Sequence, residues 1–178
     1  NGRLFYNTGK RINNGLVRLG HSVLEFSDRD ILSNHRKLND LNGAKHLNKK
    51  LLSVIGNYIP DLIILGHADL IDIKTLKTIK KYYPQIKISQ WFLDRMDSSW
   101  ITNKKRFLNK IDIMDANFCT TNPGTLNFSK TKPIYYFPNP VDESFEKLKN
   151  YNHKNLKSDL FFAMSHGVHR GVLKKGKF

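Results

Sequence analysis

Apolar residues in this chain are bunched into short runs that alternate with polar segments of helical character. The run 61–65 has no polar alternation, which is typical of a parallel strand covered on both faces. Four more stretches before residue 145 also predict strands: 22–26, 86–93, 116–121 and 134–137. Helices are predicted over 13–19, 44–58, 72–83 and 103–108, and the polar stretch 31–42 is expected to be irregular.

Strands that alternate with helices predict an α/β domain built on a doubly wound, Rossmann-like parallel sheet with right-handed crossovers. The last strand must stop at Pro138-Asn139-Pro140, because proline cannot donate to a sheet ladder. We therefore expect one domain over 1–145, and over 146–178 a linker followed by the first strand, 160–164, and loop of a second Rossmann-like domain. Both ends of the chain are expected to be truncated, since the pattern begins without its first strand and stops midway.

Composition narrows the class of protein. A single cysteine, Cys119, excludes a disulfide framework and suits a reducing compartment, and no apolar stretch approaches the length of a membrane span. The net charge of +15 indicates either a polyanionic partner or a solvated lysine-rich surface. There is no nucleic-acid-binding signature, no metal-ligand spacing, no Gly-x-Gly-x-x-Gly after a strand and no phosphate-binding Gly-Lys-Ser/Thr loop, which disfavours a nicotinamide dehydrogenase and a P-loop enzyme.

The polar residues that follow the predicted strands are the candidates for a ligand site. In an open α/β sheet, ligands bind beyond the carboxyl ends of the strands. The residues found there are Asp28, His67, Asp69, Asp94, Arg95, Asn122 and Asn139. Simpler roles remain open, because Asp94 and Asp97 could cap the following helix and Asp94–Arg95 could be a surface ion pair.

A second candidate site follows the predicted strand 160–164. The stretch 165–176 (Ser-His-Gly-Val-His-Arg-Gly-Val-Leu-Lys-Lys-Gly) combines glycines with basic side chains. Backbone N–H groups and cations arranged in this way can bind a diphosphate. The alternative is a flexible basic tail.

Three stretches carry a family resemblance. The stretch 137–145 (Phe-Pro-Asn-Pro-Val-Asp-Glu-Ser-Phe) resembles the segment that closes the N-terminal domain of two-Rossmann-domain (GT-B) glycosyltransferases, including the family 4-like enzymes. The passage Gly-His-x-Val within 15–28 resembles the helix-to-strand passage near their start, and 90–94 (Gln-Trp-Phe-Leu-Asp) is similar to a strand end in the spore-coat-maturation-like members. Pro140 departs from the pattern, because glycine is usual there.

The resemblance assigns roles to individual residues. It implies that Arg170 and Lys175 meet the donor diphosphate, while Gly167 and Gly171 allow its close approach. It also implies that His67 and Asp94 border the cleft on the acceptor side. Asp94 is the first choice for a base that accepts the proton of an acceptor hydroxyl, and His67 is the second.

The resulting hypothesis is a fragment of a bacterial glycosyltransferase that transfers a sugar from a nucleotide-diphosphate sugar to a cell-surface glycan or lipid-linked acceptor. No tightly bound cofactor is expected, and the fragment alone is expected to be inactive. A cytoplasmic location, peripheral to the anionic inner face of the membrane, would suit the basic surface. The alternatives are a non-enzymatic α/β ligand-binding module and a basic nucleic-acid-binding domain.

Overall fold

The computed structural model describes residues 8–126 except 36, 37 and 39, then 128 and 132–144, and the single positions 146, 147, 152, 154, 155, 157, 158 and 160. The chain divides into two compact units, Asn1–Asp142 and Glu143–Phe178. The helices and strands described below belong to the first unit. None of the described helices is long and apolar enough to cross a membrane.

The first unit is built from helices that alternate with parallel strands. The helices are α1 (Thr8–Arg18), α2 (Asp28–Asn34), α3 (Ala44–Tyr58), α4 (Ile73–Tyr82) and α5 (Ile101–Leu108). The strands are β1 (Leu62–Leu65), β2 (Lys87–Phe92), β3 (Ala116–Cys119) and β4 (Ile134–Tyr136). They form one open sheet in the order β1-β2-β3-β4, and every neighbouring pair is parallel. An α/β architecture compatible with a Rossmann-like fold is therefore confirmed.

Several predicted elements appear where the sequence pattern placed them. Helix α3 has the predicted bounds, and its end is marked by Ile59, whose backbone adopts a left-handed conformation with φ 46°. Strand β4 ends before Pro138-Asn139-Pro140, as expected from the missing donor of proline. The Phe137 amide still reaches the Cys119 carbonyl at 2.9 Å, which is the last contact of the ladder.

Two predictions of secondary structure are wrong. The stretch 22–26 is irregular and lies between α1 and α2; none of the described strands pairs with it. Its Ser22 carbonyl accepts a 2.9 Å hydrogen bond from the Tyr58 hydroxyl. The stretch 31–42 is not wholly irregular, because α2 extends to Asn34. Ser27 starts that helix by accepting a hydrogen bond from the Asp30 amide, which is a typical N-cap.

One face of the sheet carries the core. Leu47 and Leu51 of α3, with Leu76 and Ile79 of α4, pack in one buried cluster with β1 and β2. A second cluster joins Phe107 of α5 to β2 and β3. On the other face of the sheet, Leu62 and Ile64 of β1 are 48% and 40% exposed. The prediction that β1 is covered on both faces is therefore wrong for the described residues.

A buried polar pair fixes the register of the central strands. Gln90 of β2 lies opposite Asn117 of β3 and donates hydrogen bonds to its side-chain oxygen at 2.7 Å and to the Phe107 carbonyl at 3.1 Å. A slip of one residue would leave these amides unpaired in the interior, which is costly. The pair therefore fixes the alignment of β2 with β3.

Candidate functional site

The candidate site lies where β1 and β2 end. His67 and Asp69 follow β1, and Asp94 follows β2. Because β1 and β2 are neighbouring parallel strands, these loops meet at the same edge of the sheet. Arg106 of α5 joins them, and we call the set of His67, Asp69, Asp94 and Arg106 the Arg106 cluster.

The guanidinium of Arg106 connects all the other members of the cluster. Its Nε donates to Asp69 Oδ1 at 3.1 Å, and its Nη2 donates to Asp69 Oδ2. Its Nη1 donates to Asp94 Oδ2 at 3.4 Å, and its Nη2 lies 3.2 Å from His67 Nδ1. Two N–H groups of Arg106 thus bind the two oxygens of Asp69, which is the bidentate geometry in which arginine binds a carboxylate best.

These contacts determine the tautomer of His67. A guanidinium has only donors, so His67 Nδ1 must accept, and the ring proton of the neutral imidazole is assigned to Nε2. Nε2 faces Asp94 Oδ1 at 3.7 Å. The basic nitrogen of His67 is therefore occupied by Arg106, whereas the Asp94 side chain is 46% exposed and can reach an incoming group. Asp94 is the better candidate for a base.

Aromatic rings support the cluster from the core side. The guanidinium carbon of Arg106 lies 5.5 Å from the centroid of the Phe92 ring, and the His67 ring packs on the same phenylalanine at 4.9 Å. A cation above an aromatic face is favourable, more so where water is partly excluded. The hydrogen bond to Asp69 raises the pKa of Arg106; partial burial opposes this, and Asp94 adds to the rise. Arg106 therefore remains a fixed cation.

A buried lysine lies next to the loop that carries His67 and Asp69. Lys110 is 7% exposed, and its ammonium donates a hydrogen bond to the Ala68 carbonyl. Ala68 has φ +35°, in the left-handed region that non-glycine residues rarely adopt, so its conformation must be stabilised by surrounding contacts. Burial lowers the pKa of Lys110, and Asp69, Asp28 and Asp72 partly offset that effect.

The depressed pKa of Lys110 predicts a stability change at alkaline pH. Between its lowered pKa and the ordinary value of about 10.4, the unfolded chain binds more protons than the folded one, so folding stability rises with pH. We expect the free energy of unfolding of the wild type to rise relative to that of Lys110→Met across this window and to level off above it. Urea unfolding of both proteins over the range measures this. A difference that is flat, or that falls with pH, would contradict the assignment.

The same loop is held from the other side by Asn48 of α3. The buried Asn48 amide donates to the Leu70 carbonyl at 2.9 Å, and its oxygen accepts from the Asp72 amide at 2.9 Å. Without Asn48, these two backbone groups before α4 would lose this partner.

Replacing Asn48 by alanine is expected to lower the free energy of unfolding by about 1–3 kcal/mol, because buried backbone groups lose their partners. Hydrogen exchange of the Asp72 amide should also accelerate. Asn57→Ala, at an exposed position of the same helix, is the matched control and should change neither quantity appreciably. Equal exchange rates at Asp72 in the two variants would show that Asn48 does not hold the loop.

The other predicted site residues have separate surroundings. Asp28 is the first residue of α2 and lies close enough to influence Lys110. Arg95 pairs with Asp97, so the simple ion pair exists, although its partner is not Asp94. Asp97 is also the cap, since it accepts from the Ser99 amide at 3.0 Å. The capping alternative therefore holds for Asp97, while the Asp94 carboxylate faces Arg106 and His67.

The remaining candidates lie farther along the chain. Asn122 accepts a hydrogen bond from the Gly124 amide at 3.0 Å and caps the short turn after β3. Asn139 is exposed in the irregular stretch after β4. The proposed diphosphate residues lie outside the described residues: Gly167, Arg170, Gly171 and Lys175. Within the part of the chain that the structure describes, no group of three or more His, Cys, Asp or Glu is arranged to hold a metal ion.

Sequence reasoning missed Arg106 and Lys110. Both lie in or just after α5, among other lysines, and neither follows a strand directly. One signal was available, because two carboxylates at one edge of a sheet are stabilised by a cation placed between them. The sequence offered Arg95 for that role by proximity, but the side chain that reaches both carboxylates comes from the next helix.

Fold and site together define an α/β protein with an open parallel sheet and a cluster of charged side chains at its carboxyl edge. No family model matches the chain, and no curated protein or solved structure is significantly similar to it. The function must therefore be argued from the site.

Proposed function

We propose that this chain is the acceptor-side domain of a bacterial glycosyltransferase, followed by the start of a nucleotide-sugar-binding domain, with both domains doubly wound. The observation that carries the proposal is the Arg106 cluster at the carboxyl edge of a parallel sheet, where α/β proteins bind ligands. The residue likeness around 137–145 supports the same class.

The cluster suits recognition of a sugar acceptor. Asp69 and Asp94 are 48% and 46% exposed, so each has oxygen surface left to accept hydrogen bonds from hydroxyl groups. Arg106 holds both carboxylates in fixed positions and partly neutralises them, which allows an uncharged polyol to approach. Preorganised groups of this kind reduce the entropy lost when the acceptor is oriented.

The proposed reaction uses Asp94 as the proton acceptor. The acceptor hydroxyl attacks the anomeric carbon of the donor sugar, a new carbon–oxygen bond forms, and the bond from that carbon to the phosphate oxygen breaks. The nucleoside diphosphate leaves with the electron pair, and the hydroxyl proton passes to Asp94 Oδ1 or Oδ2. Arg106 and His67 hold the Asp94 carboxylate in position. The leaving diphosphate is assigned to Arg170 and Lys175, with Gly167 and Gly171 allowing its approach.

A donor panel tests the function. The complete gene product would be incubated with UDP-, GDP-, ADP- and dTDP-sugars and a membrane extract of the source cells, and the released nucleoside diphosphate would be measured. We expect one donor to be consumed and its sugar to appear on an acceptor, detected by mass spectrometry. If every donor remains intact, the chain is not part of a transferase, and a ligand-binding module becomes the better explanation.

A further inference from the structure

The solvent side of α4 carries three lysines in a line. Lys74, Lys77 and Lys81 are exposed and recur every three or four residues, while Leu76 and Ile79 on the opposite side of the helix are fully buried. We call these three residues the lysine row. Their spacing places them on one face over about 10 Å of helix.

Few acidic side chains lie near the lysine row among the described residues; the exposed Asp72, just before α4, is the nearest along the chain. Helix α4 contains no acidic residue, and neither does α3, which packs beside it and exposes Lys49 and Lys50. No ion pair of the lysine row appears among the described residues, whereas the neighbouring Lys80 pairs with Asp115.

Mutual repulsion between the lysines of the row destabilises α4. Like charges three and four residues apart repel each other on a helix surface. Lys74 also lies in the first turn, where the helix dipole favours an anion. The dipole favours Lys81, which lies in the last turn, but not Lys74, so folding of α4 does not explain the whole row. An external anionic surface would offset the repulsion between the lysines.

We propose that the lysine row docks the protein on an anionic phospholipid bilayer. Lysines act as point charges, which suits a polyanionic surface without fixed bonding geometry, and α4 contains no arginine, the residue preferred for specific nucleic-acid recognition. No aromatic side chain lies between the lysines to stack on bases. This proposal does not depend on the transfer reaction.

Two further features suit a bilayer. Tyr82, at the end of α4, is 67% exposed, and Lys81 Nζ lies 5.5 Å from the centroid of its ring. An amphipathic ring beside lysines is typical of the headgroup region of a membrane. The lysine row, Ile73 and Thr78 also line a shallow, open depression of the surface.

Vesicle cosedimentation tests the proposal. Wild type should bind phosphatidylcholine vesicles that contain phosphatidylserine, should lose binding as salt is raised, and should not bind phosphatidylcholine alone. Each lysine near an anionic leaflet is worth about a fivefold change in partitioning, so Lys74→Gln/Lys77→Gln/Lys81→Gln should weaken binding about 10²-fold. The triple arginine variant at the same positions should stay within about threefold of wild type.

The matched control removes the same net charge elsewhere. Lys147→Gln/Lys154→Gln/Lys157→Gln, at exposed positions of the second unit, should weaken vesicle binding by much less than the change in the lysine row. Equal losses in the two glutamine variants would mean that only net charge matters and would overturn the proposal. So would unchanged binding of the lysine-row variant, or tighter binding of wild type to a DNA duplex than to the vesicles at the same salt.

Discussion

Asp94→Asn is expected to lower the rate of sugar transfer by about 10²–10⁴-fold, the range over which a general base contributes. Asparagine keeps the shape of the side chain and can still contact Arg106 at 3.4 Å, but it cannot take up a proton. Binding of the acceptor should change much less than the turnover rate. Steady-state kinetics with the donor that the panel identifies, at varied acceptor concentration, measure both.

Asp97→Asn is the matched control for this prediction. Asp97 lies three residues further on, caps a turn and pairs with Arg95, and has no place in the Arg106 cluster. Its change should reduce folding stability slightly and leave turnover within a few-fold of wild type. If Asp94→Asn retained near-normal turnover, or if the two variants fell equally, Asp94 would not be the base.

Phe107→Ala is expected to lower the free energy of unfolding by about 3–5 kcal/mol, the usual cost of deleting a fully buried aromatic ring. Phe107 is 0% exposed and packs against Phe92 at 5.7 Å and Phe128 at 5.6 Å between ring centroids. The cavity would open beside Phe92, on which the Arg106 guanidinium and the His67 ring rest. Urea unfolding followed by tryptophan fluorescence measures the loss.

Leu108→Ala provides the comparison on the same helix. Leu108 is the next residue and is 36% exposed, so Leu108→Ala should lower the free energy of unfolding much less than Phe107→Ala does. A loss for Phe107→Ala no larger than that for Leu108→Ala would show that the second core cluster does not depend on this ring.

The parts of the fold that could be predicted from sequence are those with local causes. Helix α3 has an apolar stripe along its length, and its bounds followed from that stripe. A strand also needs a neighbour, which no local pattern reveals. The stretch 22–26 has the composition of a strand but pairs with none of the described strands. The exposure of Leu62 and Ile64 likewise depends on which helices cover the sheet.

The site was predictable to the extent that it follows the strands. His67, Asp69 and Asp94 were found because parallel strands bring their carboxyl ends together. Arg106 was not found, because its position depends on how α5 packs against Phe92, a tertiary contact with no sequence signature. The preference for Asp94 over His67 gained its reason only from geometry, since Arg106 occupies the basic nitrogen of His67.

The central claim is that the Arg106 cluster binds sugar hydroxyl groups, and NMR titration tests it most directly. The isotopically labelled protein would be titrated with a panel of methyl glycosides, with the His67 ring and the Arg106 Nε–H signals as reporters. We predict that at least one glycoside shifts both reporters in a saturable way and that the shifts vanish in Asp69→Asn/Asp94→Asn. Glycosides that leave both signals unmoved, or that act only on distant residues, would contradict the claim.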